Sequence, residues 1–486
     1  MTGRTLTVVV ALLLLVSQAG PTEPVEAGGS MSSKNLSEAT YFLETWIQSV
    51  LDFDRLPGLS LAVVHDQRLV YAKGFGYANL ATGIKATPDT YYSICSISKL
   101  FTSIAVMQLR DAGKLSLDDP VSKHLPWFAP EMLEPVASPP TLGDLLRHSS
   151  GLPCEPDLTV WSDPDSLRPA REDMIERISR LSMSYPTNTE FNYSNLGYAL
   201  AGEVVSVVSG MQYEDYVEQN ILEPLGLEAT TSHLPGDLPG SQVAVGYGRW
   251  PRVGSRVEFP IFESRALNPA MGFVSTARNL AKFAMWQFRV LDGEESDVLT
   301  GATLKEMQTT QWPSPEWGYG FAVWHMDEQD FVGHQGGCPG YKSQIILCPE
   351  EKIAVVAMIN AHDGPQFTVA FETYRIMAPA LRTSGARTAE KVSGDWAKYT
   401  GYYTADRCWS DAEVLEWDGA LSVMWVPTGN PNPLGSLVRL SHIEGGIFRQ
   451  LRDDGSLGKH YVFGTNAEDH VVAMKFNNNV LRKMAR

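Results

Sequence analysis

The chain has 486 residues, 44% of them hydrophobic, and a formal net charge of −17. That length and apolar content exclude a disordered chain and allow a large core in more than one ordinary domain. The acidic balance argues against nucleic acid or an anionic membrane surface as partner, since both are bound through clustered Lys and Arg.

At the N-terminus Arg4 precedes an apolar run from Leu6 to Val16, too short to span a bilayer, and Ser17-Gln18-Ala19 supplies small residues suited to signal-peptidase cleavage. This reads as a secretory signal over residues 1–19 and a linker over 20–37. The expected location is periplasmic or secreted, with no stable membrane anchor after signal removal; a start at Met31 would instead leave the protein in the cytoplasm.

Leu59 to Val64 and Leu69 to Phe75 predict a hairpin turning at Asp66-Gln67. Ser96-Ile97-Ser98-Lys99 then opens a helix that is apolar almost all round through Leu109, a pattern of burial, and ends at Ala112-Gly113. Residues i and i+3 share a helix face, so Lys99 falls beside Ser96. A serine hydroxyl becomes a useful nucleophile when an adjacent base takes its proton, and burial makes lysine such a base by disfavouring its charged form. An isolated copy of this spacing reads as a capping serine and a surface lysine. Two further stretches change that reading.

After helical patterning over Arg171 to Leu181, the segment FNYSNLGYALAGEVV predicts a helix beginning at Asn195, with Tyr193 at its mouth. A protonated lysine nearby would hold Tyr193 closer to phenolate, fitting it to pass a proton from Ser96 to a leaving group, while Asn195 offers an amide to orient Lys99 or a substrate carbonyl. Another helix is predicted over Ala277 to Phe288. Gly333-His334-Gln335-Gly336-Gly337 then precedes the strand-like Ser343 to Leu347, with Ile353 to Ile359 continuing the strand pattern. Glycines before a strand let a ligand approach the backbone, where a peptide N–H can stabilise an oxyanion.

The order Ser-x-x-Lys, Tyr-x-Asn, His-x-Gly resembles the serine β-lactamase-related family, which includes class C β-lactamases, penicillin-binding carboxypeptidases, D-aminopeptidases and esterases. Pro57-Gly58-Leu59-Ser60, Lys73 to Gly76, Leu115 to Pro120, Thr141 to Pro153, Glu223 to Leu227 and Ser275 to Leu280 also look like family segments. The resemblance implies an α+β fold: an antiparallel sheet flanked by helices, with an inserted helical subdomain, over residues 38–385. It implies Ser96 as the acylated nucleophile, Lys99 as its proton acceptor and Tyr193 as general base and acid. Asn195, His334, Gly336 and Gly337 would bind substrate, and the backbone of Ser96 and Gly337 would form the oxyanion hole.

The third box departs from the Lys-Thr-Gly of many β-lactamases, where a lysine charge helps hold a substrate carboxylate. His334, neutral at pH 7 from its reference pKa, weakens a preference for penicillins; Arg249 or Arg252 are candidates to restore the charge. The expected function is therefore hydrolysis of small esters, amides or peptides, esterase-like or D-aminopeptidase/carboxypeptidase-like. A β-lactamase and a non-catalytic binder of penicillin or cell-wall peptide are the alternatives. No cofactor or metal is expected, and the oligomeric state is left open.

Five cysteines are too few and scattered for a disulfide framework. Cys338 and Cys348 flank the third box and are a candidate pair in an exported protein, whereas Cys95 reads as a small buried residue. A polar linker over 386–394 leads to residues 395–486. Six short strands are predicted there, at Tyr399–Tyr403, Val414–Trp417, Leu421–Val426, Phe448–Leu451, Tyr461–Phe463 and Val471–Phe476, with tight turns at Asp418-Gly419 and Asp454-Gly455. This part resembles the small lipocalin-like antiparallel β-barrel that follows the catalytic domain in some D-aminopeptidases. It would cover the cleft mouth, mediate oligomerisation or stabilise the enzyme.

Overall fold

A computed structural model of the chain describes residues 35–133, 138–156, 168–178, 180–232, 242–259, 261, 263–383, 396–405, 410–477 and 479–485. The expected signal segment, Met31, the 386–394 linker and Cys408 lie outside the described residues. No helix among those described is long and apolar enough to cross a membrane.

Helix α1 (Leu36–Asp54) begins two residues before the boundary expected at 38, because Asn35 caps it by accepting from the N–H groups of Ser37 and Glu38. Nine strands then form one antiparallel sheet. They are β1 (Gly58–His65), β2 (Arg68–Asn79), β3 (Ile84–Lys85), β4 (Trp312–Pro313), β5 (Glu316–Trp317), β6 (Ala322–Met326), β7 (Gln329–Cys338), β8 (Tyr341–Cys348) and β9 (Ile353–Ile359). Their order is β3-β2-β1-β9-β8-β7-β6-β5-β4. The predicted hairpin is β1–β2.

The central strands are apolar at nearly every position because both sheet faces are covered. Alternation sends Ala62 and Val64 into one core and Leu61 and Val63 into another. The front core holds α2 (Ser98–Asp111), α3 (Asn195–Ser209) and α4 (Ala277–Leu291); the back core holds α1 and α5 (Gln366–Thr383). The helices between the sheet's first and last strands thus build the front, and α1 and α5, one from each end of the 38–385 segment, build the back.

The C-terminal part closes into an eight-stranded antiparallel barrel: β10 (Gly401–Thr404), β11 (Asp411–Trp417), β12 (Ala420–Val426), β13 (Leu437–Glu444), β14 (Ile447–Leu451), β15 (Leu457–Thr465), β16 (Val471–Phe476) and β17 (Asn479–Lys483). Sequence patterning missed β13 and β17, whose residues are largely half-exposed or exposed and carry few apolar signals. Tyr403, Phe448, Tyr461, Phe463, Met474 and Phe476 fill the interior. The barrel docks on α1 at the back of the sheet. Trp417 packs edge-on against Phe42 with ring centroids 4.7 Å apart, Leu415 and Met424 join the back core, and Thr428 N–H donates to Ser49 Oγ at 2.6 Å.

Candidate active site

Ser96 lies in a tight 3-10 turn, Cys95–Ile97, that feeds α2. Its position is pinned locally: Ser98 Oγ donates to Cys95 O at 2.5 Å and accepts from Phe273 N–H at 3.1 Å. Further along α2, Thr102 Oγ1 donates to Pro269 O at 2.6 Å. Helix α2 is therefore held against the 268–273 segment, which supplies a group that sequence reasoning missed.

That group is the carbonyl of Ala270. Lys99 Nζ donates to it at 2.8 Å and to Asn195 Oδ1 at 2.6 Å, and lies 3.3 Å from Ser96 Oγ. Lys99 is completely buried, and burial lowers its pKa to about 7. A neutral amine has two hydrogens and one lone pair. With both hydrogens directed at Ala270 O and Asn195 Oδ1, the lone pair is left for the Ser96 hydroxyl.

Asn195 is fixed in turn. Ser194 caps α3 by accepting from Gly197 N–H at 2.9 Å, and Asn195 Nδ2 donates to Glu155 Oε1 at 2.5 Å. Glu155, in the segment after Pro153, is a second partner that no motif announced.

Tyr193 is hydrogen-bonded to Ser96, and its ring centroid lies 4.8 Å from Lys99 Nζ. The expected pull toward phenolate does not prevail. Desolvation is the largest influence on the phenol and raises its pKa well above 10, so Tyr193 holds its proton at neutral pH. Its ring packs against buried His148, with ring centroids 4.2 Å apart and the planes tilted by 34°, and His148 Nδ1 accepts from Ser194 N–H at 3.1 Å. Phe191 and Trp317 complete an aromatic wall around that imidazole.

His334 lies on β7 facing the same site, 1% exposed, with its ring centroid 6.3 Å from that of Tyr193. Burial and then the Lys99 charge lower its pKa to about 3, so the third box carries no charge at neutral pH. Gly336 faces the Ser96 turn, and only glycine fits there: a Cβ would stand 2.2 Å from Ile94 O and 2.1 Å from Ser343 Oγ. Strand β6 pairs with β7 only as far as Gly333, so among the described residues no strand covers that edge of β7 from His334 to Cys338. This includes the backbone of Gly337.

A cation beside the end of this strand comes from β8. Lys342, paired with Gly337 in register, is half-buried and makes no ion pair among the described residues; its Nζ lies 3.0 Å from where a Cβ on Gly337 would be. Of the two arginines singled out in the sequence, Arg249 acts electrostatically on His362, which also feels Lys342. Arg256 is buried instead, and its Nη1 donates to Asp363 Oδ1 at 2.5 Å.

The cysteine pairing differs from that expected. Cys338 is bonded to Cys95, with Cα atoms 5.9 Å apart, while Cys348 is free and buried. On β8 and β7, Cys348 and Phe331 belong to the back core and Cys338 to the front core, so the two flanking cysteines face opposite sides of the sheet.

Comparison with known proteins places this geometry in context. A family model described as Beta-lactamase matches residues 43–376. Protein flp of Staphylococcus aureus (strain NCTC 8325 / PS 47) is 27% identical over 324 residues, covering 65% of this chain and 62% of that relative. Thus the match spans less than two thirds of its length. Penicillin-binding protein 4 of Amycolatopsis lactamdurans is 28% identical over 324 residues, 64% of this chain and 83% of its own. Among solved structures, the octameric penicillin-binding protein homologue from Pyrococcus abyssi is similar with a TM-score of 0.62 and 27% identity, over 91% of this chain and 100% of that one. A D-stereospecific amidohydrolase from Streptomyces sp. shares the fold, with a TM-score of 0.56 at 22% identity over 71% of this chain and 99% of that one.

Proposed function

The chain belongs to the beta-lactamase family, and from that premise we propose that it is an exported serine hydrolase cleaving small esters, amides or peptides through an acyl-Ser96 intermediate. The observation that carries the proposal is the buried Lys99 Nζ held 3.3 Å from Ser96 Oγ by its hydrogen bonds to Ala270 O and Asn195 Oδ1.

In this reading Lys99 takes the Ser96 proton as Oγ attacks the substrate carbonyl. The N–H groups of Ser96 and Gly337 receive the oxyanion. Tyr193, protonated and bonded to Ser96, gives its proton to the leaving group, and its phenolate takes back a proton from the Lys99 ammonium, which is left neutral for the second half of the reaction. Water then enters by the reverse route and releases the acyl group. A neutral His334 leaves the third box without the lysine charge of many β-lactamases, which supports esters and amides over β-lactams, and makes Lys342 beside Gly337 the candidate to meet a carboxylate on such a substrate.

The test is hydrolysis of a short-chain p-nitrophenyl ester by the mature protein beside a Ser96→Ala variant with an unchanged circular dichroism spectrum. Turnover that disappears in the variant, with an acyl adduct on Ser96 in the intact mass, is the expected result. Equal or absent turnover in both proteins, together with no adduct on Ser96, would replace the hydrolase with a non-catalytic binder.

A further inference from the structure

The Cys95–Cys338 bond joins the two residues that flank the proposed oxyanion site. Cys95 immediately precedes Ser96 and Cys338 immediately follows Gly337, while 243 positions separate them along the chain. Both are 0% exposed. We propose that this disulfide is a positioning clamp for acyl transfer, fixing the Ser96 and Gly337 N–H groups as one unit, and that its reduction slows turnover of bound substrate. The inference rests on the acyl-Ser96 reading above.

Three observations give the clamp something to do. The end of β7 is held by a partner strand on one side only, since β6 stops at Gly333. Cys95 has φ +49°, a left-handed conformation that a residue with a Cβ adopts at a cost, so this turn needs outside restraint. An oxyanion donor acts by being in place before charge develops, so a small relaxation of either element costs rate while leaving the cleft open to substrate. Other contacts tie the same turn to the sheet: Ser343 Oγ on β8 donates to Ile94 O at 2.9 Å, and Ser93 Oγ lies 3.3 Å from Cys338 Sγ on β7. Reduction therefore loosens the site and does not dismantle it.

The step is a thiol–disulfide exchange with a dithiol. One thiolate of the dithiol attacks either sulfur and displaces the other cysteine as thiolate. The second dithiol sulfur then attacks the mixed disulfide, closing a ring and freeing the first cysteine. Two electrons pass from the dithiol to the cysteines, each of which takes up a proton. Because both sulfurs are enclosed, the exchange waits on local opening and is slow.

The experiment uses the mature full chain before and after dithiothreitol, with reduction verified by the mass gain of two hydrogens. The ester rate is resolved into kcat and KM, and fold is followed by circular dichroism. Since deleting an oxyanion donor outright costs about 10²–10³ in kcat, loosening one should lower kcat by about tenfold, with KM changed less than about twofold. Reoxidation should restore the rate. A Cys95→Ser/Cys338→Ser double variant should show the lowered kcat and no response to the dithiol. An unchanged kcat in verified reduced protein, a change confined to KM, a dithiol response that persists in the double variant, or loss of the fold on reduction would each overturn the clamp. Should the oxidised protein neither turn over ester nor acquire a Ser96 adduct, the hydrolase reading itself fails and takes the clamp with it.

Discussion

The two faces of the nine-stranded sheet are equally buried and chemically unlike. The front core encloses Lys99, Asn195, His148, His334, Ser98, Thr102 and Ser343, each at most 3% exposed, among its apolar side chains. At the back, Phe42, Trp46, Leu61, Val63, Phe331 and Trp417 pack with few polar neighbours. Buried polar groups are costly unless hydrogen-bonded; Lys99, Asn195, Ser98, Thr102 and Ser343 meet that condition with partners from distant segments, whereas Nε2 of His148 and of His334 has no hydrogen-bond partner among the described residues. The back gains apolar burial with little polar cost, and the barrel enlarges it through Leu415, Trp417 and Met424. The difference teaches that this fold separates the face that carries the proposed chemistry from the apolar face behind it.

Lys99→Met tests that separation most severely. Turnover should fall about a thousandfold or more, since the proton acceptor is gone, while the urea midpoint moves little because methionine fills the volume without a buried amine. A large loss of stability would show that Lys99 holds the front core together. Tyr193→Phe should lower kcat by about 10²–10⁴ while the fold stays intact; near-normal turnover would remove Tyr193 from the proton path.

Trp417→Ala probes the opposite face. Truncating a buried aromatic costs about 3–5 kcal/mol, so the denaturation midpoint should drop sharply with kcat per folded molecule unchanged. A matching fall in kcat would mean that the barrel acts on the cleft.

The pH profile sharpens the front alone. Below about 7 Lys99 is protonated and has no lone pair, so kcat/KM should fall with acid and level off above that value. His334, lowered to about 3, and Tyr193, raised well above 10, stay neutral across this range. The same depressed lysine makes stability rise between about pH 7 and 10.5, because there the unfolded chain binds the extra proton. A flat activity profile from pH 5 to 9 would contradict Lys99 as the base. The smallest effect is expected from Lys342→Met: a several-fold loss of preference for an ester bearing a carboxylate over its neutral isostere. An unchanged ratio would separate Lys342 from substrate binding.

The motifs were legible where chemistry and neighbour lie within one turn of chain. Ser96 and Lys99 are three residues apart on one helix, the cap at Ser194 follows from its own tripeptide, and Gly336 announces a close backbone approach. The β1–β2 hairpin was equally plain from its alternation and polar turn. Less visible were Ala270, 171 positions from Lys99, and Glu155, 40 from Asn195, because a carbonyl or a lone acid carries no sequence mark of its partner. The Cys338 pairing was misread because nearness in sequence says nothing about which sheet face a side chain occupies.

By itself, then, the sequence determined the helix that presents Ser96 and Lys99, the order of the three boxes and the presence of a second, β-rich part. These follow from local periodicity, capping and turn chemistry. Tertiary structure alone decided that burial lowers the Lys99 pKa, that Tyr193 keeps its proton, that Cys95 is bonded to Cys338, and that the barrel sits behind the sheet on α1. Each of those depends on desolvation or on contacts between residues far apart in the chain, and both exist only once the chain has folded.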